Sequence, residues 1–289
     1  MDKKGVDFKI YTHPHMEFFR QDKMSASYPA HFHRHYVVGC LLRGERLYSC
    51  ASQKGKLRPL QLMIINPGEE HKCAAHGKTQ CIWLAIHLPV QTMSILVDGL
   101  YAESCLPHFR QMICKDDKAL EKFFNLIEQP KANKARELIS QILGCVKTQM
   151  LETVPGKDLD FTHPFQRICP AGQINPGQAM SLSEMAAEAH MSKYAFLRKF
   201  KKITGLSPYR YMRVLRLNDV REALYGGMDL SYCAQTSGFY DQSHLNRQFT
   251  QNFGISPGRM RLEALRAFKN SSYECGACAF PLPISGTLS

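Results

Sequence analysis

The first half of the chain carries apolar residues in short runs of strand periodicity, and turn residues separate these runs. In Cys81–Leu88 every second side chain is a large aliphatic one, as a strand with a buried face requires. The predicted strands are Tyr36–Leu42, Glu45–Ala51, Leu60–Asn66 and Cys81–Leu88. Short strands at this spacing favour an antiparallel barrel or jelly roll.

Two stretches beyond these strands repeat apolar residues at helical spacing. Lys118–Gln129 and Ala132–Leu151 each predict an amphipathic helix, and such stripes usually pack against their own domain. Residues 152–178 include four prolines and few periodic apolar residues, which is typical of a linker.

The last third of the chain contains an internal repeat. Residues Leu182–Met212 align with Leu230–Arg261 if one residue is inserted in the second copy, near Phe239. Both copies begin with Leu-Ser, carry Arg-x-Phe in the middle and continue with Gly-x-Ser-Pro. Such a repeat usually means that one supersecondary unit is used twice.

Each copy has the signals of two helices joined by a tight turn. In the first copy a serine at position 181 or 183 is the expected cap of a short helix. Ser192 then caps a second helix, which Gly205 ends. In the second copy, Asp241 and Gly254 take these two roles.

The second helix of each copy has an apolar face and a polar face. The apolar stripes are Phe196, Phe200 and Ile203 in the first copy, and Leu245, Phe249 and Phe253 in the second. The opposite faces carry Lys193, Tyr194, Arg198, Lys199, Lys201 and Lys202, then Gln242, Ser243, His244, Asn246 and Arg247. Arg, Gln, Asn and Ser suit base edges in the major groove, and Lys suits phosphates. Two such faces at repeated positions favour a DNA-binding surface over an ordinary polar surface.

The charge distribution supports a polyanionic partner. The formal net charge is +12, and nine basic residues against one acidic residue fall between Met191 and Arg221. Such a concentration attracts polyanions. Because a charge run alone is more often a solvated helix face, it is the repeat that favours nucleic acid.

Membrane and secreted classes do not fit the sequence. The longest apolar candidate, Cys81–Val97, is interrupted by polar residues and proline, and the polar residues 1–9 are followed by no apolar signal core. The 11 cysteines follow no disulfide framework. We therefore expect a cytoplasmic protein without a membrane partner, and a disordered tail at residues 271–289.

The second repeat unit carries a specific resemblance to a known family. Gly238–Phe249, continued by Gly254-Ile255-Ser256-Pro257, resembles the signature of AraC/XylS-type transcription regulators. The stretch from Ser192 to Pro208 resembles that family's first motif, and the whole resemblance covers about residues 175–265. It implies base contacts by Tyr194, Ala195, Leu197 and Arg198, and by Gln242, Ser243, His244, Asn246 and Arg247. Lys193, Lys199, Lys201 and Lys202 complete the predicted DNA-binding surface.

The same resemblance implies how the two units are used. One long helix, which opens at Pro208, would hold both recognition helices against successive major grooves, roughly 34 Å apart. Double-stranded promoter DNA and a small-molecule effector are the implied partners, and RNA polymerase is a further candidate. Comparable helix pairs often form dimers in this family, so the two predicted helices after the strands are also a candidate homodimer interface.

A second resemblance concerns histidines of the predicted barrel. His31-Phe32-His33 and the stretch from Pro67 to His71 resemble the two halves of the cupin motif, whose histidines converge in the barrel mouth. Val37 or Val38 stands where the first cupin motif has a carboxylate. We therefore expect His31, His33 and His71 to contact the effector, with no metal and no other cofactor. A metal site is the open alternative, because three imidazoles suit Zn, Fe or Ni.

These interpretations predict an α+β chain of two domains. An antiparallel, cupin-like β-barrel with helices occupies residues 1–151, the linker residues 152–178, and an all-α tandem helix-turn-helix domain residues 179–270. The expected function is sequence-specific transcription regulation controlled by an effector in the barrel, with no catalytic residue. One alternative is a metal-dependent cupin enzyme or metal sensor fused to a DNA-binding domain. The other is a non-specific architectural binder, which would not need outward Gln, Ser, Asn and Arg.

Overall fold

The computed structural model describes an N-terminal β domain with helices and a C-terminal all-α domain, which confirms the predicted fold class. The described residues are 8–13, 16–24, 27–50, 53–76, 80–98, 105–110, 112–129, 131–145, 151–155 and 181–271. The predicted tail lies outside them except for its first residue, and so does the predicted linker except for residues 152–155.

The β domain is built from antiparallel strands in two main sheets. A six-stranded sheet has the order β1-β2-β9-β4-β7-β11, a four-stranded sheet has the order β3-β8-β5-β6, and β10 pairs with β12. The strands are β1 (Phe8–His13), β2 (Met16–Met24), β3 (Tyr28–His31), β4 (His35–Arg43), β5 (Arg46–Cys50), β6 (Gln53–Leu57), β7 (Leu62–Ile65), β8 (His71–Ala75), β9 (Cys81–Pro89), β10 (Cys105–Phe109), β11 (Ile113–Cys114) and β12 (Leu151–Pro155). All four predicted strands are present as β4, β5, β7 and β9.

The central strands of the larger sheet are buried on both faces. In β4, Val38 and Cys40 belong to a core shared with helices, whereas Val37 and Leu41 belong to a core between the two sheets. Successive side chains of a strand point to opposite faces, so one strand serves both cores. The larger sheet is therefore the middle layer of the domain.

Three helices cover the outer face of this sheet. They are α1 (Val90–Leu96), α2 (Asp117–Glu128) and α3 (Ala132–Cys145), and Asp116 caps α2 by accepting a hydrogen bond from the Ala119 amide at 2.6 Å. The apolar stripes of α2 and α3 pack into the core of their own domain. The prediction that α3 reaches Leu151 was wrong, because Leu151–Pro155 pairs with β10 as a strand.

The α domain repeats its capping devices in both units. Its helices are α4 (Leu182–Glu188), α5 (Lys193–Thr204), α6 (Pro208–Tyr225), α7 (Leu230–Thr236), α8 (Gln242–Phe253) and α9 (Pro257–Ser271). Ser192 and Asp241 cap α5 and α8, and Gly205 and Gly254 end them with φ of 74° and 73°. Positive φ is the reason for glycine at these two positions. The loop before α8 has one residue more than the loop before α5, as the repeat predicted.

Within the described ranges, every helix is too short or too polar to span a bilayer.

Candidate nucleic-acid interface and internal cavity

The helices α5 and α8 present matching polar faces to solvent. Arg198 and Arg247 each precede a buried phenylalanine by two residues, and both arginines are exposed. The predicted DNA-contact residues with exposed side chains are Lys193, Tyr194, Arg198, Lys199, Lys201 and Lys202 on α5, and Gln242, Ser243, Asn246 and Arg247 on α8. The fold thus brings the polar residues of each helix onto one face, opposite the side that packs into the domain.

Three of the predicted DNA-contact residues are half-buried instead. Ala195 and Leu197 lie at the edge of the α5 face, where only part of each side chain reaches solvent. The His244 ring lies 5.7 Å from the Phe239 ring, and its Nδ1 accepts a hydrogen bond from the Tyr240 amide at 3.4 Å. The imidazole of His244 therefore also braces the turn before α8.

A cavity of about 110 Å³ lies between the sheets of the β domain and reaches the α domain. Most of its lining is apolar, and Trp83 and Met63 are examples from the β domain. The α domain contributes Arg221, Asn252, Phe253 and Met260. A space of this size takes a small ligand or part of a larger one.

The three predicted pocket histidines come together at this cavity. The His31 ring centre lies 4.8 Å from that of His33 and 4.3 Å from that of His71, and the rings of His33 and His71 are 5.0 Å apart. Two further imidazoles extend the group, because His35 lies 5.0 Å from His33 and 4.5 Å from His87. Sequence reasoning identified the first three and missed His87, which β9 carries to the same place.

Burial keeps these imidazoles neutral. It lowers the pKa of His31 and of His33 well below the usual value, and the neighbouring histidines lower both pKa values further. Burial also lowers the pKa of His71, although hydrogen bonding to the Glu69 carbonyl opposes that shift. Each ring therefore offers an unprotonated nitrogen near neutral pH.

The valines at the expected carboxylate positions are core residues. Val38 packs toward the helices and Val37 toward the space between the sheets. Near His71, the Glu69 carboxylate accepts a hydrogen bond from the Asn66 side chain at 2.7 Å. Among the described residues, no carboxylate belongs to the group formed by His31, His33 and His71.

A buried ion pair joins the two domains beside the cavity. Arg221 of α6 contacts the Glu17 carboxylate of β2, and its Nη2 lies 3.2 Å from His87 Nδ1. Burial raises the pKa of Glu17, but Arg221 and His87 outweigh this effect and hold the pKa below its usual value. Sequence reasoning missed Arg221 because a lone arginine in a basic helix looks like a surface residue.

The segment between β3 and β4 also binds the α domain. Phe32 is fully buried in the core of the first helix-turn-helix unit, where its ring lies 4.7 Å from the Tyr211 ring. Arg210 donates a hydrogen bond to the Ala30 carbonyl at 2.8 Å, and Asn218 donates one to the Phe32 carbonyl at 3.3 Å. The histidine cluster is therefore attached directly to the domain that carries α5 and α8.

Comparison with known proteins finds a family match for each half of the chain. Residues 13–145 match the AraC-like ligand binding domain family, and residues 185–263 match a helix-turn-helix domain family. The uncharacterized HTH-type transcriptional regulator YbfI of Bacillus subtilis (strain 168) is 26% identical over 254 residues, which cover 85% of this chain and 91% of YbfI. The HTH-type transcriptional activator RhaS of Escherichia fergusonii is 34% identical over 131 residues, 45% of this chain and 46% of RhaS.

Solved structures show the same two-domain fold. The crystal structure of ToxT from Vibrio cholerae O395 superposes with a TM-score of 0.56 at 10% identity, covering 91% of this chain and 99% of ToxT. An unsaturated fatty acid-bound ToxT structure superposes with a TM-score of 0.55 at 11% identity, covering 90% of this chain and 97% of that one. Family matches, relatives and fold agree, and the chain belongs to the AraC-type transcription regulators, with an N-terminal ligand-binding domain and a DNA-binding helix-turn-helix domain.

Proposed function

We propose that the protein recognises promoter DNA with the exposed faces of α5 and α8, each helix reading one of two adjacent major grooves. The observation that carries this proposal is the repeated position of Arg198 and Arg247, both exposed on helices that have their caps and their buried apolar stripe at corresponding positions. Arginine contacts guanine bidentately in the major groove, and each such pair contributes about 1–3 kcal/mol of discrimination. Gln242, Ser243 and Asn246 would read further base edges.

The remaining side chains of these faces take complementary roles. Lys193, Lys199, Lys201 and Lys202 would neutralise phosphates, because lysine acts as a flexible point charge. Tyr194, Ala195 and Leu197 would offer apolar contacts, for which a thymine methyl group is a suitable partner. His244 would contribute its Nε2, because its Nδ1 is already engaged in the turn.

Binding to an operator selected from random DNA by the parent protein tests this proposal. Arg198→Ala and Arg247→Ala should each weaken operator binding by roughly tenfold or more and change binding to scrambled DNA little. Arg266→Ala is the matched control, because Arg266 is an exposed arginine of α9 away from both recognition faces. Equal losses on operator and scrambled DNA would assign the two arginines to phosphates and remove the support for base recognition.

We further propose that a small effector, mainly apolar with one polar or anionic group, occupies the cavity. The apolar lining supports the apolar body, and the imidazole nitrogens of His31, His33 and His71, together with the buried Arg46 elsewhere in the same lining, supply polar atoms for the polar group. The fatty acid in the ToxT structure is a ligand of this chemical kind. A volume of about 110 Å³ favours short-chain ligands in the arrangement described.

A series of monocarboxylates of increasing chain length tests the effector class. Trp83 is the single tryptophan and lines the cavity, so its fluorescence reports occupancy. We expect saturable binding, lost in His71→Ala while the folded structure, followed by far-ultraviolet circular dichroism, is retained. No change of Trp83 fluorescence at any chain length would exclude this class of effector.

The effector would act on DNA binding through the shared wall of the cavity. Asn252 and Phe253, at the end of α8, line the cavity together with the β domain.

Because RhaS is a named activator, we propose that this protein activates transcription. RNA polymerase would be the contact, and the cytoplasm, where promoters lie, would be the location. A second copy of the chain is a further proposed partner. Since the apolar stripes of α2 and α3 already fill the core, that dimer would use their other faces.

A further inference from the structure

The histidine cluster has the geometry of a site for a metal ion. His31 ends β3, His71 begins β8 and His33 lies in the connection between β3 and β4. One ligand nitrogen from each ring can be chosen so that all three lie within 4.8 Å of one another. A tetrahedral ion with bonds of 2.0–2.1 Å needs nitrogens ~3.3 Å apart, so side-chain rotations that bring the nitrogens about 1.5 Å closer together close the site.

Hydrogen bonds orient two of the rings for coordination. His31 Nδ1 lies 2.7 Å from the Pro29 carbonyl oxygen, and His71 Nδ1 lies 2.9 Å from the Glu69 carbonyl oxygen. A carbonyl oxygen only accepts, so Nδ1 carries the proton in both rings and Nε2 keeps its lone pair. Histidine ligands of metal ions are held in this way, with the second nitrogen fixed by a backbone or carboxylate oxygen.

The third ring has a nitrogen that the protein leaves unsatisfied. Among the described residues, the buried Nδ1 of His33 has no hydrogen-bond partner. A buried polar atom without a partner costs free energy, and coordination to an ion would offset that cost.

We propose that His31, His33 and His71 bind one first-row divalent transition-metal ion, such as Zn²⁺, and leave a coordination position open toward the cavity. The missing cupin carboxylate made a direct effector contact the favoured interpretation of the sequence. Three imidazoles are nevertheless a sufficient ligand set when a fourth position is left for water or a ligand. A bound anionic effector would then complete the coordination sphere, so the inference deepens the proposed function without requiring that an organic effector exists.

The ion would also lie close to the DNA-binding domain. The His33 ring stacks at 6.4 Å on the ring of Phe253, the last residue of α8. Fixing His33 in a coordinated rotamer therefore fixes a neighbour of the second recognition helix. Metal occupancy is thus expected to change the affinity for the operator as well as the stability of the chain.

Zinc binding tests the proposal. The full chain is purified without a His tag and treated with a chelator before Zn²⁺ is added. We expect one Zn²⁺ per chain by elemental analysis after dialysis, a higher melting temperature with Zn²⁺ by linkage, and a visible spectrum of tetrahedral nitrogen coordination when Co²⁺ replaces it. His31→Ala and His71→Ala should each lower the affinity for Zn²⁺ at least tenfold. His76→Ala is the matched control, because His76 directly follows β8, has a 42% exposed side chain and does not belong to the cluster.

Two results would overturn the proposal. One is a parent protein that retains less than one tenth of an ion per chain and whose melting temperature does not respond to Zn²⁺. The other is a parent-like zinc affinity in both cluster variants, which would place the ion elsewhere. The parent measurements need no substitution, so a variant that fails to fold leaves the test intact. Operator binding is measured on the same samples, so loss of the metal site and loss of DNA recognition are seen separately.

Discussion

Replacing Arg221 tests whether the buried contact between the domains holds them together. The Arg221 side chain is 7% exposed, contacts the 20% exposed Glu17 carboxylate, and has its guanidinium carbon 4.9 Å from the centre of the Tyr225 ring. Arg221→Met keeps most of the apolar stem and removes the charge. The Glu17 carboxylate then remains beside His87 without a cation to balance it.

The expected cost follows from what Glu17 can do in response. Removing one partner of a buried ion pair costs about 3–5 kcal/mol. Glu17 can limit this cost by taking up a proton, starting from an ordinary pKa of 4.5. At pH 7 that uptake costs about 3.4 kcal/mol, at 1.36 kcal/mol for each pH unit. We therefore expect the free energy of unfolding to fall by about 3 kcal/mol at pH 7.

The pH dependence has a definite sign. In the parent chain the folded pKa of Glu17 is lowered, so its carboxylate stabilises the fold above the ordinary pKa, and this stabilisation is lost as pH falls through the folded pKa. Without Arg221, burial dominates and the folded pKa rises above the ordinary value. The penalty is then fully present above that raised pKa and absent below the ordinary one. The stability difference between parent and variant should shrink as pH falls from 7 toward 5.

Urea unfolding followed by Trp83 fluorescence and far-ultraviolet circular dichroism measures this difference. Arg34→Met is the matched control, because Arg34 also joins the two domains, through ion pairs of 2.7 Å with Asp219 and 3.4 Å with Glu222, whose side chains are 40% and 56% exposed. An exposed pair contributes about 0–1 kcal/mol, so the control should cost little. Equal costs for the two variants, or an Arg221→Met cost that does not change with pH, would refute the reasoning.

Two further predictions concern the recognition helices. Replacing three outward lysines of α5 together by alanine, Lys199, Lys201 and Lys202, should reduce the slope of log affinity against log salt by about one unit for each phosphate contact, and a slope parallel to the parent's would contradict the phosphate assignment. Gly254→Ala should destabilise the chain by about 1–2 kcal/mol, because φ is 73° and the added Cβ would collide with the Tyr28 hydroxyl. Gly258→Ala, which meets nothing within 4 Å, is its control in thermal unfolding and should be neutral or slightly stabilising.

The α domain could be predicted closely because its signals are local. Ser192, Gly205, Asp241 and Gly254 each mark a helix end through backbone geometry that depends on neighbouring residues alone. Strands β4, β5, β7 and β9 were also readable from their apolar runs. The edge strand β6, with the sequence Gln-Lys-Gly-Lys-Leu, could not be predicted in this way, because it is a strand through its pairing with β5 and not through its composition.

The cavity could only be predicted in part, because its wall comes from segments far apart in the chain. Burial of Arg221 depends on β2 and β9, which lie more than 130 residues away in the sequence. Asn252 is a second example. From the sequence it looks like a polar residue at the end of α8, and only the structure shows that its amide is buried. Long-range docking therefore decides which polar residues become cavity residues, and local patterns carry no information on it.

The contacts of the two helix-ending glycines explain how a ligand in the cavity can reach both recognition helices. A Cβ on Gly205 would lie 2.9 Å from the Cβ of Glu70, next to His71, and a Cβ on Gly254 would collide with Tyr28, which lines the cavity. The C-terminal end of α5 thus packs against the turn before β8, and the C-terminal end of α8 packs against β3. Because α6 joins the two units as one helix, a displacement of these strands would tilt α5 and α8 against each other without changing either helix internally. Two grooves of one duplex accept only a narrow range of such tilts, so we expect a small movement at the cavity to change operator affinity.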